Sequence, residues 1–426
     1  MRNFLLLCAF LSCLKGNAQT YFPPLIGSTW ETIAPASLGW CDDSIQKMYN
    51  WLGSTDTKAF IVLKNGKIVL EKYFGTFTAD SLHVWNSAGK TLTAYCVGIA
   101  QKEGLLDIDD KTSDYIGTGW TSEPLAKENL ITIKHQLSMT SGLDDGVSNI
   151  FCTDPSCLVY LTDAGNRWAY HNGPYTMLDS VIEVATGLTL NQWTYQKISS
   201  KIGMSGLFIQ NGYNHIFVSN PRSMARFGLL LSQNGFWNGT PILNDPTFLA
   251  EMTNSSQLLN PSYGYLTWLN GKSSFMIPQS QFVFNGSLCP NAPADMFAAE
   301  GKNAQIINVC PSDSLVLIRM GATMGNSLVG TQYNDTIWQY MNRLQCNLSV
   351  SENKIEPWNV VSTIKPLEFQ LMGLSGDEQV YLYTSLGQEI QFQKDNNFIQ
   401  LLYETKGMFF ISIADKNQRK TFKIVL

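Results

Sequence analysis

Charged residues are scarce in this chain, and they are not concentrated in any one stretch. Asp, Glu, Lys and Arg make up 15% of the 426 residues, and the formal net charge is -5. Because no stripe of Lys and Arg could neutralise a phosphate backbone, we expect no nucleic-acid partner. The four histidines, at positions 83, 135, 171 and 215, lack the paired spacing of metal ligands. We therefore expect neither a metal site nor a cofactor.

Long hydrophobic runs are also lacking. The apolar run over residues 4–14 follows Arg2 and precedes the small-residue stretch 16–18. Its length is about half of the roughly 20 residues that a transmembrane helix needs. The pattern predicts a signal peptide over residues 1–18 and no transmembrane helix, so we expect an exported protein, first periplasmic and then at the cell surface or extracellular. Cys13 as a lipid-anchored cysteine is the alternative, although the three residues before it match the usual attachment motif poorly.

Cysteine is infrequent, with nine in the chain and two of these within residues 1–18. Thiols tend to pair in an oxidising compartment, and the odd remainder leaves at least one free. Cys96 lies in the apolar stripe of a predicted helix and is expected to be a buried free thiol. Cys152 and Cys157 are the best disulfide candidates because four residues separate them. Two further pairings stay open: Cys289 with Cys310, and Cys41 with Cys346.

The apolar pattern predicts an α+β fold in which helices flank an antiparallel sheet. Two β-rich runs are joined by Asn65-Gly66, which suits the positive φ angles of a tight hairpin turn. A helix is predicted from Asn86, a good N-cap, to Glu103. Further helices are predicted near 43–52, 173–186, 220–232 and 333–345, and further strands near 261–269, 305–309 and 314–320. Strands at both ends with helices between them indicate one domain over residues 25–346.

After residue 346 the composition and the apolar pattern of the sequence change. A polar stretch, 347–365, predicts a linker, and alternating apolar runs at 379–383 and 408–413 predict a small all-β sandwich over 366–426. These runs, with the terminal Lys423-Ile424-Val425-Leu426, resemble the C-terminal sorting domain of the type IX secretion system. The resemblance implies that the type IX secretion machinery is a partner. A carbohydrate-binding or spacer domain is the alternative.

Ser87 and Lys90 form a Ser-x-x-Lys motif at the start of a predicted helix. Positions i and i+3 share a helix face, so Lys90 would lie beside Ser87, and a buried lysine with a lowered pKa can take the serine proton. The same spacing occurs at Ser44, Ser351 and Ser362, so the motif alone is weak. Only Ser87 begins a helix whose N–H groups and dipole could support an oxyanion. The context favours Ser87 as the nucleophile and Lys90 as its base.

A second element is Tyr170-His171-Asn172, followed by a helical run that ends at Gly187. The ordered combination of Ser87-x-x-Lys90, the segment 137–143 and Tyr170-x-Asn172 resembles the serine β-lactamase and penicillin-binding-protein superfamily. It is most similar to the class C-like esterase and 6-aminohexanoate-dimer-hydrolase branch, over about residues 40–345. The resemblance implies an antiparallel sheet with a mainly helical subdomain. It also implies that Tyr170 exchanges protons with Lys90 and that Asn172 orients the substrate.

That superfamily carries a third motif, Lys-Thr-Gly or His-x-Gly, on the strand beside its site. The matching stretch, Ala299-Glu300-Gly301-Lys302, keeps the glycine and lacks the cation that holds a substrate carboxylate. The resemblance implies that Gly301 shapes the substrate site and that the Lys302 backbone N–H is the second oxyanion donor. An anionic Glu300 facing the site would disfavour β-lactams further, whereas a solvated strand residue is the alternative.

These residues predict a secreted serine esterase or amidase that acts on a small-molecule or peptide acyl substrate through an acyl-enzyme on Ser87. A D,D-peptidase or β-lactamase is the nearer alternative. A catalytically silent binding protein is an alternative of another class, and the intact Ser87, Lys90, Tyr170 and Asn172 argue against it. The sequence has no Gly-x-Ser-x-Gly elbow, so nothing supports an α/β-hydrolase.

Overall fold

A computed structural model describes residues 19–322, 330–346, 358–363, 367–374, 376–384, 387–402, 408–415 and 419–425. The chain divides into two compact units, Met1–Cys346 and Asn347–Leu426. The predicted signal peptide and most of the predicted linker lie outside the described residues, as do Ser351 and Lys365. Within the described part, no helix is both long and apolar enough to cross a membrane.

The helices and strands of the described residues have the following bounds. The α-helices are α1 (Asp42–Ser54), α2 (Gly89–Lys102), α3 (Ser113–Ile116), α4 (Leu125–Glu128), α5 (Ile133–Leu137), α6 (Asn172–Thr186), α7 (Leu190–Thr194), α8 (Ser200–Ile202), α9 (Pro221–Ser232), α10 (Pro246–Met252) and α11 (Thr331–Met341). The strands of the N-terminal unit are β1 (Thr57–Lys64), β2 (Lys67–Tyr73), β3 (His83–Val84), β4 (Leu207–Asn211), β5 (Asn214–Ser219), β6 (Phe236–Trp237), β7 (Thr240–Pro241), β8 (Trp268–Leu269), β9 (Ser274–Phe275), β10 (Phe284–Asn285), β11 (Phe297–Gly301), β12 (Gln305–Cys310) and β13 (Leu315–Gly321). Those of the C-terminal unit are β14 (Asn359–Ser362), β15 (Glu368–Met372), β16 (Gln379–Thr384), β17 (Phe392–Asp395), β18 (Phe398–Leu401), β19 (Met408–Ala414) and β20 (Arg419–Val425).

The N-terminal unit is built on a six-stranded antiparallel sheet in the order β2-β1-β13-β12-β11-β8. Its first hairpin turns at Asn65 (φ 49°) and Gly66 (φ 79°), and two positive φ angles are what the predicted tight turn requires. Strand β13 comes from late in the chain yet pairs with β1 along its length. The sheet therefore joins the first and last strands of this unit.

Helices cover both faces of this sheet. At Gly228 of α9, an added Cβ would lie 2.6 Å from Val316 and 2.9 Å from Ile307, so this helix packs tightly on one face. On the other face, Asn308 hydrogen-bonds to Asn334 of α11. Ile307 and Asn308 are neighbours on β12 and point to opposite faces, as the period of a strand requires. The predicted α+β class, an antiparallel sheet flanked by helices, is confirmed.

The start of α2 differs from the sequence prediction. Asn86 is not an N-cap but lies within a 3₁₀ turn, Asn86–Ala88, with a φ of 48°. Its side-chain Nδ2 donates to the Lys302 carbonyl over 2.9 Å. This bond ties the turn that carries Ser87 to the end of β11, so Asn86 joins two parts of the chain instead of capping one helix.

The described residues contain two disulfides, Cys41–Cys346 and Cys152–Cys157. Cys96 is a buried free thiol. The possible pairing of Cys289 with Cys310 is wrong, because both are free and fully buried in the core. Burial raises the pKa of both of these thiols, which keeps them protonated and unreactive.

The C-terminal unit consists of two antiparallel sheets, β14-β15-β18-β17 and β16-β19-β20. Strands of both sheets contribute side chains to one core: Trp358, Phe369, Leu371, Leu382, Ile399, Leu401, Ile411 and Ile413. Two sheets around a shared core form a small sandwich. Strand β14 falls inside the predicted linker, so the folded part of this unit begins earlier than the sequence indicated.

Candidate active site

Ser87 and Lys90 lie side by side at the start of α2. Lys90 Nζ is 3.0 Å from Ser87 Oγ, within hydrogen-bond distance. Lys90 is only 5% exposed, and this burial lowers its pKa to about 7, although attraction to Asp179 acts in the opposite direction. A substantial fraction of Lys90 is therefore neutral near pH 7, so Lys90 can accept the Ser87 proton.

Aromatic rings exclude water from the Lys90 amine. Its Nζ lies 4.3 Å from the centre of the Tyr175 ring and 5.3 Å from that of Tyr170. Attraction to these rings favours the charged amine by roughly 0.5–2 kcal/mol. The shift of the Lys90 pKa from 10.5 to about 7 corresponds to roughly 5 kcal/mol in favour of the neutral amine. The desolvation that the rings cause therefore outweighs their attraction for the charge.

Tyr170 lines the same cavity as Ser87, and its hydroxyl lies near enough to Ser87 for that residue to affect its pKa. The Tyr170 side chain is 3% exposed, and its ring stacks on Trp268 with the ring centres 5.8 Å apart. Burial raises the pKa of Tyr170, and the interaction with Ser87 lowers it by less, so the phenol is neutral at pH 7. The backbone hydrogen bond from Ala169 N to Met139 O, 2.9 Å, anchors this segment to the predicted 137–143 motif. Tyr170 thus places a neutral phenol on the cavity that Ser87 and Lys90 also line.

The other predicted residues lie around the same opening. Asn172 is the first residue of α6, and Asn172 and Lys302 line one cavity of about 190 Å³ together with Ser87, Lys90 and Tyr170. Gly301 packs behind this cavity. An added Cβ at Gly301 would lie 2.9 Å from Ser87 N and 2.5 Å from Trp85 O. Only a residue without a side chain allows β11 to approach the Ser87 backbone this closely.

Glu300 is neither a solvated strand residue nor an anion facing the cavity. It is 1% exposed and points to the opposite face of β11 from its neighbour Gly301. There it accepts hydrogen bonds from Asn334 Nδ2 (2.7 Å) and Thr331 Oγ1 (2.9 Å) of α11. Burial raises the pKa of Glu300, which favours the uncharged acid. Both sequence-based interpretations of this residue are wrong, because its carboxyl is buried against α11 and does not line the cavity.

The sequence analysis missed an acid and an imidazole beside the cavity. Asp179 is a buried residue of α6, and its Oδ2 lies 3.0 Å from Nδ1 of His215, which lines the cavity from β5. One indication was present in the sequence, because Asp179 follows Asn172 by seven residues and shares its helix face. Its partner, His215, was dismissed as an isolated histidine, since a contact between separate elements leaves no local pattern.

A family model described as Beta-lactamase matches residues 53–320 of the chain, well over half of its length. The chain belongs to the beta-lactamase family. Members of this family are mostly serine hydrolases. No curated protein gives a significant match to the sequence.

Solved structures of the beta-lactamase fold resemble this chain at low sequence identity. A penicillin-binding-protein homologue from Caulobacter crescentus has a TM-score of 0.56 at 12% identity, over 74% of this chain and 99% of its own. A family VIII carboxylesterase has a TM-score of 0.54 at 16% identity, over 75% and 100%. A protein from Bacillus anthracis assigned to the 6-aminohexanoate-dimer hydrolases has a TM-score of 0.53 at 18% identity, over 70% and 81%. Because these names span several reactions, the shared fold does not select one of them.

Gly301→Ala tests the close approach of β11 to Ser87. The new methyl group would overlap backbone atoms of the 3₁₀ turn. We expect a loss of about 1–3 kcal/mol in the free energy of unfolding and, because the displaced strand moves the Lys302 N–H, a fall of about 10²-fold in kcat. Urea unfolding and steady-state kinetics measure the two effects.

Gly89→Ala is the matched control for this prediction. Gly89 begins α2, two residues after Ser87, and an added Cβ there meets Phe217 only at 3.4 Å, an ordinary contact. We expect this variant to be as stable as the parent or slightly more stable, because alanine favours a helix. Full activity in Gly301→Ala would contradict the role of the glycine.

Proposed function

We propose that this protein is a serine hydrolase that cleaves an ester or amide bond through an acyl-enzyme on Ser87. The observation that carries the proposal is the 3.0 Å contact between Lys90 Nζ and Ser87 Oγ in a water-excluded setting that opens onto a cavity. A hydroxyl is a poor nucleophile at neutral pH, and a neutral amine within hydrogen-bond reach removes that limitation.

The first half of the reaction forms the acyl-enzyme. Lys90 takes the Ser87 proton while Oγ attacks the substrate carbonyl carbon, and the carbonyl electron pair moves onto the oxygen. The backbone N–H groups of Ser87 and Lys302 stabilise this oxyanion. When the carbonyl re-forms, the bond to the leaving group breaks, and Tyr170 supplies a proton to the departing oxygen or nitrogen. Lys90 returns its proton to Tyr170, so the base is neutral again.

The second half of the reaction hydrolyses the acyl-enzyme. A water molecule replaces the departed group, Tyr170 takes its proton while passing its own proton to neutral Lys90, and the hydroxide attacks the acyl carbon. Collapse of this second oxyanion breaks the bond to Ser87 Oγ, which regains a proton. Asn172 would hold the acyl group through its side-chain amide, since its Oδ1 is buried and has no partner among the described residues.

The cavity favours a short acyl group. Its volume, about 190 Å³, lies below the roughly 300–1,000 Å³ of sites that hold drug-sized ligands. Apolar side chains of Phe151, Tyr175 and Ile216 share its lining with the amides of Asn211 and Asn214. We propose small esters or amides with a polar substituent as the substrate class.

A D,D-peptidase or β-lactamase activity is the second candidate. The Glu300 carboxyl is bonded to α11 and does not line the cavity, whereas Lys302 does, so the electrostatic objection is weaker than the sequence indicated. Acylation by a fluorescent penicillin would favour this candidate. A catalytically silent binding protein would take up neither penicillin nor an acyl group.

Intact-mass spectrometry tests the proposed function. The protein is mixed with a panel of short esters, amides, peptides and cephalosporins, quenched, and digested to locate any added acyl group. We expect a mass increase on the peptide that contains Ser87 for at least one ester or amide. Modification at another residue, or turnover without any acyl-enzyme, would overturn the proposal.

We also propose that the protein is exported and that its C-terminal unit is a type IX sorting domain. The two disulfides are compatible with an oxidising compartment outside the cytoplasm. The C-terminal unit is a small two-sheet sandwich with a hydrophobic core of its own. A separate small sandwich supports its assignment as a sorting domain.

Truncation after residue 350 separates hydrolysis from export. The cut lies beyond the disulfide partner Cys346, and the two units have separate hydrophobic cores. We expect the purified N-terminal unit to retain the parent kcat within about twofold, because an independent core folds alone. In a type IX-competent host, the truncated protein should no longer reach the cell surface. Unchanged surface delivery would contradict the sorting role of the C-terminal unit. Lost activity with a normal melting curve would contradict the assignment of hydrolysis to the N-terminal unit alone.

A further inference from the structure

Asp179 and His215 form a hydrogen-bonded pair next to the cavity. Asp179 Oδ2 lies 3.0 Å from His215 Nδ1. The acid is buried, with 6% of its side chain exposed, whereas 40% of the His215 side chain is exposed and lines the cavity. Asp179 Oδ1 is buried and has no hydrogen-bond partner among the described residues. A buried carboxylate held by a single imidazole is unusual enough to require an explanation.

The pair lies on the helix face that meets Lys90. Tyr175 and Asp179 are one turn apart on α6, and the Tyr175 ring centre is 4.3 Å from Lys90 Nζ. Thr93, one turn after Lys90 on α2, contacts the Tyr175 hydroxyl over 3.2 Å. Asp179 therefore lies one turn beyond the residue of α6 that contacts Lys90, and its partner His215 lines the same cavity as Lys90.

We propose that Asp179 and His215 are positioning residues that together set the proton content of Lys90: the Asp179 carboxyl favours the protonated amine, and the hydrogen bond between His215 and that carboxyl weakens this effect. The inference rests on the proposed function, since it assigns Lys90 the role of base for Ser87. His215 thereby couples the cavity, where substrate binds, to the proton content of the buried base.

The charges around the pair support this arrangement. Attraction to Asp179 raises the pKa of Lys90, and the hydrogen bond that Asp179 accepts raises the pKa of His215. Burial raises the pKa of Asp179 itself, and the hydrogen bond with His215 acts against this, so His215 favours the charged carboxylate. Cys96 of α2 and Tyr175 of α6 also face Asp179, and burial raises the pKa of each, so both are uncharged near pH 7. Glu183, one turn further along α6, is exposed and accepts a hydrogen bond from Leu190 N.

Removing the charge of Asp179 and removing the charge of His215 should shift the pKa of Lys90 in opposite directions. Asp179→Asn deletes the anion that attracts a proton to Lys90, so Lys90 becomes a weaker base. His215→Gln keeps a hydrogen-bond donor for Asp179 but removes the positive charge, so the lone carboxylate stabilises protonated Lys90. At an effective dielectric constant of about 20, a unit charge about 10 Å away shifts a titration midpoint by about one pH unit.

The test is the rate of Ser87 labelling by a fluorophosphonate between pH 5 and pH 10. In the parent, the rate should rise with pH around a midpoint near 7, because only neutral Lys90 can take the serine proton. We expect the midpoint to fall by about one unit in Asp179→Asn and to rise by about one unit in His215→Gln. The double variant should resemble Asp179→Asn, because His215 acts through the carboxylate.

His83→Gln is the matched control. His83 lies on β3, which pairs with β5, but it does not line the cavity, so its replacement should leave the midpoint unchanged. Midpoints that stay at the parent value, or that move in the same direction in both single variants, would overturn the inference. Absence of Ser87 labelling in the parent at every pH would instead contradict the proposed function, so the two failures are distinguishable.

Discussion

Ser87→Ala should abolish covalent labelling by a fluorophosphonate and reduce ester turnover to the uncatalysed rate. The substitution removes the nucleophilic oxygen, and loss of a serine nucleophile costs about 10⁴–10⁶-fold in kcat in enzymes of this kind. Ser87 is only partly exposed and packs in a short 3₁₀ turn, so deleting one oxygen should leave the fold intact. Gel fluorescence and steady-state kinetics measure the loss.

Ser44→Ala provides the matched control for this prediction. Ser44 and Lys47 have the same spacing as Ser87 and Lys90 and also lie in a helix, α1, but they do not line the cavity. The control variant should be labelled and should turn over substrate at the parent rate. Persistent labelling of a folded Ser87→Ala protein, with folding checked by circular dichroism, would remove Ser87 from the mechanism.

Lys90→Arg should be nearly as damaging as Lys90→Ala, with kcat reduced by about 10²–10⁴-fold in both. A guanidinium remains protonated at every pH used and cannot take the serine proton, so retaining a positive charge does not help. Burial makes Lys90→Arg more costly still, because a larger charged group must fit against the rings of Tyr170 and Tyr175. Steady-state kinetics on the best ester from the screen gives the comparison.

Tyr170→Phe should lose about 10²-fold in kcat, because it keeps the ring that stacks on Trp268 and deletes only the hydroxyl beside Ser87. The double variant with Lys90→Ala should be little worse than Lys90→Ala alone, since parts of one proton-transfer unit fail together. Parent-like turnover in Tyr170→Phe would make Tyr170 a packing residue. An additive loss in the double variant would mean that the two groups act separately.

The local elements of the fold could be predicted because their causes lie within a few residues. Asn65-Gly66 favours a tight turn in any context, and helical periodicity alone located α2 and α6. The Ser87–Lys90 contact also follows from local geometry, since residues three apart share a helix face. Predictions failed where the conformation depends on contacts between distant parts of the chain. Asn86 lies within a 3₁₀ turn instead of capping α2, and its Nδ2 donates to the Lys302 carbonyl, more than 200 residues away.

The electrostatics of the site could not be predicted from the sequence in the same way. Glu300 was expected either in solvent or facing the cavity, yet the register of β11 turns it toward α11. Its charge state depends on that burial, which sequence spacing does not encode. The pairing of Cys41 with Cys346, separated by 305 residues, was one of several possibilities until the fold brought the two together.

By itself the sequence determined which groups can do chemistry and which of them share a helix turn: a serine and a lysine one turn apart, a tyrosine and an asparagine at the start of a second helix, and a glycine on a late strand. The tertiary structure alone decided that these groups meet at one cavity, and that Asp179 and His215 stand beside the base. The physical reason is the distance along the chain over which each effect acts. Turn and helix preferences act over three or four residues, whereas desolvation and charge coupling depend on every element packed around a group, whatever its position in the chain.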